Sequence, residues 1–194
     1  MLQARWTKTA TAAVLVVTGI TAGAGAATAA PATSTAQVST QSASSSSVRH
    51  NRTDDAFVAM LITHHQAAIQ FATLAAQKSP TPEVRRLART IIKGQTAQVA
   101  ELRILIKRFG THPMPEPAPV KEFTDRQLNR LKQSSGKAFD ADFLDIQSNH
   151  HANGISMTDL ELAGGVNHAA RALARDSRND QLRELKVMLA LGAR

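Results

Sequence analysis

Four histidines stand in two adjacent pairs, His64-His65 and His150-His151, and the pairs lie 86 positions apart. Neutral imidazole is the commonest transition-metal ligand in proteins, and methionine thioether adds a preference for soft ions such as Cu(I). Met60 precedes His64 by one helical turn, Met157 follows His150 by two, and Met188 follows Glu184 by one. A metal-bound imidazole usually donates its other N–H to an oxygen, and Gln95, Gln98, Gln181 and Glu184 supply candidates. The candidate ligands are therefore His64, His65, His150, His151, Met60, Met157 and Met188, for a copper ion, with zinc as the alternative.

The doublets belong to a longer repeat. Shifted by 86, Asp54 to Leu102 runs onto Asp140 to Met188 without a gap. Phe57, Ile69, Leu74, Arg85, Leu87 and Gln95 meet Phe143, Ile155, Leu160, Arg171, Leu173 and Gln181. A self-match at fixed period marks one supersecondary unit used twice.

The elements that must position these residues all read as helices. Thr53-Asp54-Asp55 is an N-cap followed by acids and opens a helix to about Lys78. Thr81-Pro82-Glu83 opens a second, which Gly110 stops. His112 to Pro119 carries four prolines and reads as an extended link. Thr124 with Gln127 is a capping box for a short helix ending before Gly136. A third long helix covers Ala138 to Ala163, and Asn167 caps the last, which runs towards Leu191. Nothing reads as a strand. The expected fold is all-α: an antiparallel four-helix bundle of two repeated helical hairpins with a short linker helix. Its parts are repeat one at 53–110, a linker at 111–137 and repeat two at 138–194.

At about 100° per residue, the inner face of the first helix centres on Phe57, Leu61, His64, Ala68, Phe71 and Ala75, with His64 roughly 30° and His65 roughly 70° from its middle. In the third helix Phe143, His150, Gly154, Met157 and Glu161 point inward. The second helix of each hairpin offers the stripes Val84, Leu87, Ile91, Gln95, Gln98, Leu102 and Ala170, Leu173, Ser177, Gln181, Glu184, Met188. A buried amide costs free energy unless hydrogen-bonded, so Gln95 and Gln181 are expected to pair with histidine rings across the bundle.

The remainder of the chain sets the context. Arg5 and Lys8, an apolar run from Ala10 to Ala30 and the small residues Ala27-Thr28-Ala29 read as a Sec-type signal peptide over 1–29. The run is too weak in large apolar residues for a lasting membrane span. Residues 30–50 are mostly Ala, Ser, Thr and Gln and read as a disordered tether, leaving 51–194 as one domain. Signal removal takes away two positive charges and no acid, so the net charge falls from +8 to +6. The bases are scattered, tyrosine is absent and the single tryptophan lies in the signal segment, so no nucleic-acid platform exists. Zero cysteines exclude disulfides, although the compartment would allow them. No Glu-x-x-His pairing for a carboxylate-bridged di-iron centre occurs, nor HExxH, a P-loop or GxSxG.

Phe57-x-x-Met60-x-x-x-His64-His65-x-x-Ala68-Ile69, followed by Gln95-x-x-Gln98-Val99, resembles a secreted family called domain of unknown function 305. Asp140-x-x-Phe143-Leu144 through His150-His151 to Gln181-x-x-Glu184-Leu185 resembles the same pattern. The likeness spans Asp54 to Met188. It implies a ferritin-like four-helix bundle, an extracytoplasmic location and, in several members, copper binding or tolerance through these histidines and methionines. The family pattern favours Met-Met before the doublet, Met after it and Met after Gln-x-x-Glu. Here Met60-Leu61, Phe71, Gln98 and Leu102 hold those places in repeat one, whereas repeat two has Ile146-Gln147 but keeps Met157, Glu184 and Met188. Thioethers are depleted, so a smaller site resting on His150, His151, Met157 and Met188 with help from His64 is the expectation.

Three readings follow. The first is a secreted, non-enzymatic bundle that sequesters or carries copper, its partner being the metal ion. The second is a metal-free extracytoplasmic module with structural histidines, acting through an envelope protein or a second copy of itself. The third, a metal-dependent redox enzyme, needs an open coordination position and a substrate pocket that the sequence does not display.

Overall fold

A computed structural model describes residues 49–193. The signal peptide at 1–29 and all of the tether but its last two residues lie outside them. Five helices follow in order: α1 Arg52–Lys78, α2 Pro82–Phe109, α3 Ala118–Gln133, α4 Gly136–Gly164 and α5 His168–Gly192. No strand occurs among the described residues.

The caps explain the boundaries and correct two expectations. The α1 N-cap is Asn51, not Thr53. Its side chain accepts from the N–H groups of Thr53 (2.9 Å) and Asp54 (3.0 Å), while the Asp54 carboxylate accepts from the Asn51 N–H (2.7 Å). This reciprocal box satisfies donors the first turn would otherwise leave unpaired. Helix α3 begins at Ala118, six residues before Thr124. Proline in a first helical turn forfeits only an N–H that had no intrahelical partner, so Pro119 does not stop it. Gly110 ends α2 in the left-handed conformation at φ 68°. Asn167 caps α5, accepting from the N–H groups of Ala169 and Ala170 at 3.0 Å each.

Helix α1 packs between α2 and α4, and α5 between α4 and α2, so the four long helices enclose one core. Residues 86 positions apart hold the two hairpins together. The Asp54 carboxylate accepts from the backbone N–H of Val166 and Asn167 at the α4–α5 turn, the nearest contact being 2.9 Å. Asp140 accepts from the hydroxyls of Ser79 and Thr81 at the α1–α2 turn, both at 2.5 Å. Each aspartate starts one hairpin and fastens the turn of the other, which makes α1 and α4 antiparallel. Arg85 and Arg171 each tie down the carbonyls of their own hairpin's turn.

Two apolar clusters fill the core. Phe71, Ile91, Phe139, Phe143 and Met188 anchor one, and Phe57, Leu61, Leu102, Phe109 and Leu173 anchor the other. Helix α3 covers the first through fully buried Leu131. The histidine doublets lie at mid-helix, between the clusters.

Candidate metal centre

Both stripes expected on α2 and α5 are buried throughout, as is most of the inner face of α1. Consecutive helical residues point about 100° apart. The two neighbours of a helix in a square bundle lie roughly 90° apart, so an adjacent pair of side chains addresses both. The doublets do this. His65 points at α2 within its own hairpin, where Nε2 meets Gln98 Oε1 at 2.7 Å. His151 points at α5, where Nε2 meets Glu184 Oε2 at 2.8 Å. His64 and His150 point between the hairpins and stack on each other, with ring centroids 3.7 Å apart and planes at 29°. Phe71 closes the stack edge-on against His150 at 5.6 Å.

Four imidazoles from two helices thus share one layer. His65 and His151 have no exposed surface and His150 is buried. His64 keeps an accessible edge, yet both its ring nitrogens are shut off from solvent. Burial disfavours the charged form and lowers the affinity of His64, His65 and His150 for protons. Burial first, then His151 and His65, brings His150 down to about 3. Burial brings His65 down to about 4 against the opposing bond from Gln98. His64 falls well below its ordinary value through burial, with His150, His65 and His151 adding to it. All three are neutral at physiological pH, the form that ligates metals.

The layer is incompletely satisfied. Both ring nitrogens of His64, Nδ1 of His65 and Nδ1 of His150 are buried without a hydrogen-bond partner. Oε1 of Gln181 and of Gln147 and both amide atoms of Gln95 share that condition. Gln181 is half-served because its Nε2 donates to Ser177 Oγ at 3.0 Å. At the equivalent place repeat one has Ile91, which offers nothing to Gln95. The expected pairing of Gln95 and Gln181 with histidines is therefore corrected: Gln98 and Glu184, one turn further along, take it. Gln147 and Ser177 also touch the layer, at 3.5 Å from His151 Nδ1 and 3.4 Å from His65 Nε2. Gln147, at the place of Leu61 in repeat one, is an amide on a core position, a signal sequence reasoning could have used. Gly154 leaves the room: a Cβ there would stand 2.2 Å from Gln181 Oε1 and 2.8 Å from His64 Cε1.

The methionines are not gathered into this layer. Met60 is 42% exposed on the outer edge of α1, where Met114 of the linker docks beside it through its N–H to the Ala59 carbonyl (2.7 Å). Met157 packs against one apolar cluster, and Met188 lies within the other. Among the described residues no three His, Asp or Glu side chains converge on a point that could hold an ion as they stand.

A second buried polar pair lies at the junction of α1 and α4. Burial and the neighbouring Asp54 push Glu161 up to about 8, partly offset by Arg171. Glu161 thus favours its neutral form at neutral pH, and neither of its carboxyl oxygens has a hydrogen-bond partner. Burial opposes the ionisation of Asp54, but the N–H groups of Asn167, Asn51 and Val166 outweigh it and hold the carboxyl below its ordinary value.

The chain belongs to the family described as domain of unknown function (DUF305), whose model matches residues 4–106 and residues 54–191. A DUF305 fragment from Deinococcus radiodurans has the same fold, with a TM-score of 0.68 at 22% identity over 74% of this chain and 97% of that one. A DUF305 protein from Streptomyces coelicolor, described as a candidate secreted protein, superposes with a TM-score of 0.66 at 23% identity, covering 73% of this chain and 91% of that one. CopM in its Cu(I)-bound form is 27% identical with a TM-score of 0.63, covering 73% and 96% of the two chains. CopM has also been solved bound to Cu(II) and to Ag. None of the curated proteins matches the chain. No helix among the described residues is long and apolar enough to cross a membrane.

Proposed function

We propose that this chain is a secreted, non-enzymatic bundle that takes up a copper ion in its histidine layer, to sequester or carry it. The observation behind this reading is that buried imidazole nitrogens on His64, His65 and His150 lack partners. Leaving a buried polar atom unpaired costs about 1–3 kcal/mol, and a bound cation removes that penalty at several atoms together. The donor set fits: His64, His65 and His150 are neutral, His65 and His151 already have their outer nitrogens held by Gln98 and Glu184, and imidazole suits both copper and zinc. The relation to CopM, solved with copper in both oxidation states, favours copper.

Binding requires His64 and His150 to leave their stack, because the rings do not converge as they stand. The imidazoles are the ligands in this proposal, since Met60 is exposed on the outer edge of α1 and Met157 and Met188 pack with the apolar clusters. Titration of the purified protein with Cu(I), Ag(I) and Zn(II) under competition, followed by histidine ring resonances, tests it. His64 and His150 are expected to shift together, and the His64→Ala, His150→Ala double variant to lose binding while the helical signal persists. Unchanged affinity in that variant removes the core site.

A second reading draws on the bonds already made by His65 and His151. These satisfy one nitrogen of each ring inside the protein, as a metal-free envelope module would require. It predicts no histidine shift with any of the three ions.

A further inference from the structure

We infer that Asp180 is a positioning residue: by orienting the Gln98 amide it places the proton of His65 on Nε2, so that Nδ1 is the nitrogen offered to the layer. The tautomer follows from hydrogen-bond chemistry alone; the ligand role of Nδ1 rests on the metal-binding reading above.

A chain of contacts sets the tautomer. A carboxylate accepts and cannot donate. Asp180 Oδ2 lies 2.9 Å from Gln98 Nε2, so the NH2 of that amide faces Asp180 and its carbonyl oxygen faces His65. A carbonyl oxygen 2.7 Å from His65 Nε2 requires a proton on that nitrogen. Nδ1 then carries the lone pair, and it is the ring nitrogen found buried and unpartnered. The rival arrangement turns Gln98 over and leaves Nε2 bare to accept from Ser177 Oγ at 3.4 Å. It would set the amide oxygen against the Asp180 carboxylate, whose other oxygen is paired with Arg183.

Repeat two reaches the same result differently. Glu184 stands where repeat one has Gln98, and its carboxylate accepts directly from His151 Nε2, so no orienting group is needed. The place matching Asp180 in repeat one is Gly94. Asp180 thus gives a neutral amide the one-way acceptor character that Glu184 has by itself. In both second histidines the lone pair is thereby left on Nδ1, unpartnered in His65 and facing the Gln147 amide at 3.5 Å in His151.

The test is the pair of ring 15N resonances of His65 in the metal-free protein at neutral pH. The wild type is expected to show protonated Nε2 and bare Nδ1. Asp180→Lys presents a donor to Gln98, turns the amide over and is expected to move the proton to Nδ1. Adding Gln98→Glu to that variant supplies a carboxylate that accepts from both sides, and is expected to return the proton to Nε2. Asp180 is partly exposed, so the variants should keep their helical signal, and Asp180→Asn, expected to give a mixture of tautomers, serves if the lysine does not fold. Metal affinity is expected to fall about 10–100-fold in Asp180→Lys and to recover in the double variant. A His65 tautomer that stays on Nε2 in both Asp180→Lys and Asp180→Asn overturns the inference. If the tautomer responds as described but the wild type binds no metal, the positioning role of Asp180 stands and the copper reading fails.

Discussion

Acidification provides a quantitative test of the histidine layer. An unfolded histidine takes up its proton near pH 6.5, whereas His65 and His150 in the fold resist until about 4 and about 3. Between those values the unfolded chain binds more protons than the folded one, so stability rises with pH there and is lost as pH falls below 6.5. Each pH unit over which the states differ by one proton is worth about 1.4 kcal/mol. From pH 7 to pH 5 each ring therefore costs about 2 kcal/mol, or about 4 kcal/mol for the pair. His64 adds in the same direction.

Glu161 acts oppositely. Held at about 8 against an ordinary 4.5, it makes the folded state bind the extra proton, so its contribution grows as pH falls from 8. Over pH 7 to 5 that returns about 2–3 kcal/mol and would mask the histidines. Glu161→Gln keeps the size and shape of the side chain and removes this titration, and Asp54 itself titrates below the window. Urea unfolding of that variant, with chelator present, should therefore lose at least about 4 kcal/mol between pH 7 and pH 5. With a urea slope of about 2 kcal/mol/M, the midpoint falls by about 2 M. This is a large part of the 5–15 kcal/mol typical of a domain. A midpoint that stays within about 0.3 M would show that the rings are not buried in neutral form, and the reasoning about the layer would fall with it.

Three further outcomes are expected. Gly154→Ala drives a methyl into Gln181 Oε1 and the His64 ring, and should cost about 1–3 kcal/mol by urea unfolding while moving the His64 ring resonances; a loss under 0.5 kcal/mol with unmoved resonances means that the space is not shared as described. Gln95→Leu removes an amide with no partner on either atom and should stabilise the metal-free protein by about 1 kcal/mol, whereas a clear loss on thermal unfolding would reveal a partner. Asp140→Ala strands the Ser79 and Thr81 hydroxyls and should lower stability by about 2–3 kcal/mol, measured as a drop in the urea midpoint; near-neutrality would show that the turn holds without its staple.

Much of this architecture was legible because it is local. Period-3.6 stripes on α2 and α5, proline after Thr81, Gly110 and Asn167 act within a turn or two of themselves, and the residues they predicted to be inside are inside. The face of α1 was less well placed. Its buried arc also takes in Val58, Ile62, His65 and Ala72, which moves its centre about 40° from the expected stripe. Met60 consequently lies outside it, although it stands one turn from His64. The cause is that α1 packs against α2 on one side and α4 on another, with α3 behind, and a sequence does not say where neighbours stand.

The sequence by itself determined the helices, the doublets, their equivalence at a spacing of 86 and their place at mid-helix, since periodicity and capping need only nearby residues. The tertiary structure alone decided which histidine faces which neighbour, that Gln98 and Glu184 rather than Gln95 and Gln181 hold the rings, and which nitrogens are left without partners. Those outcomes depend on side chains from different helices meeting at 3 Å, and only the packing of one helix against another brings them there.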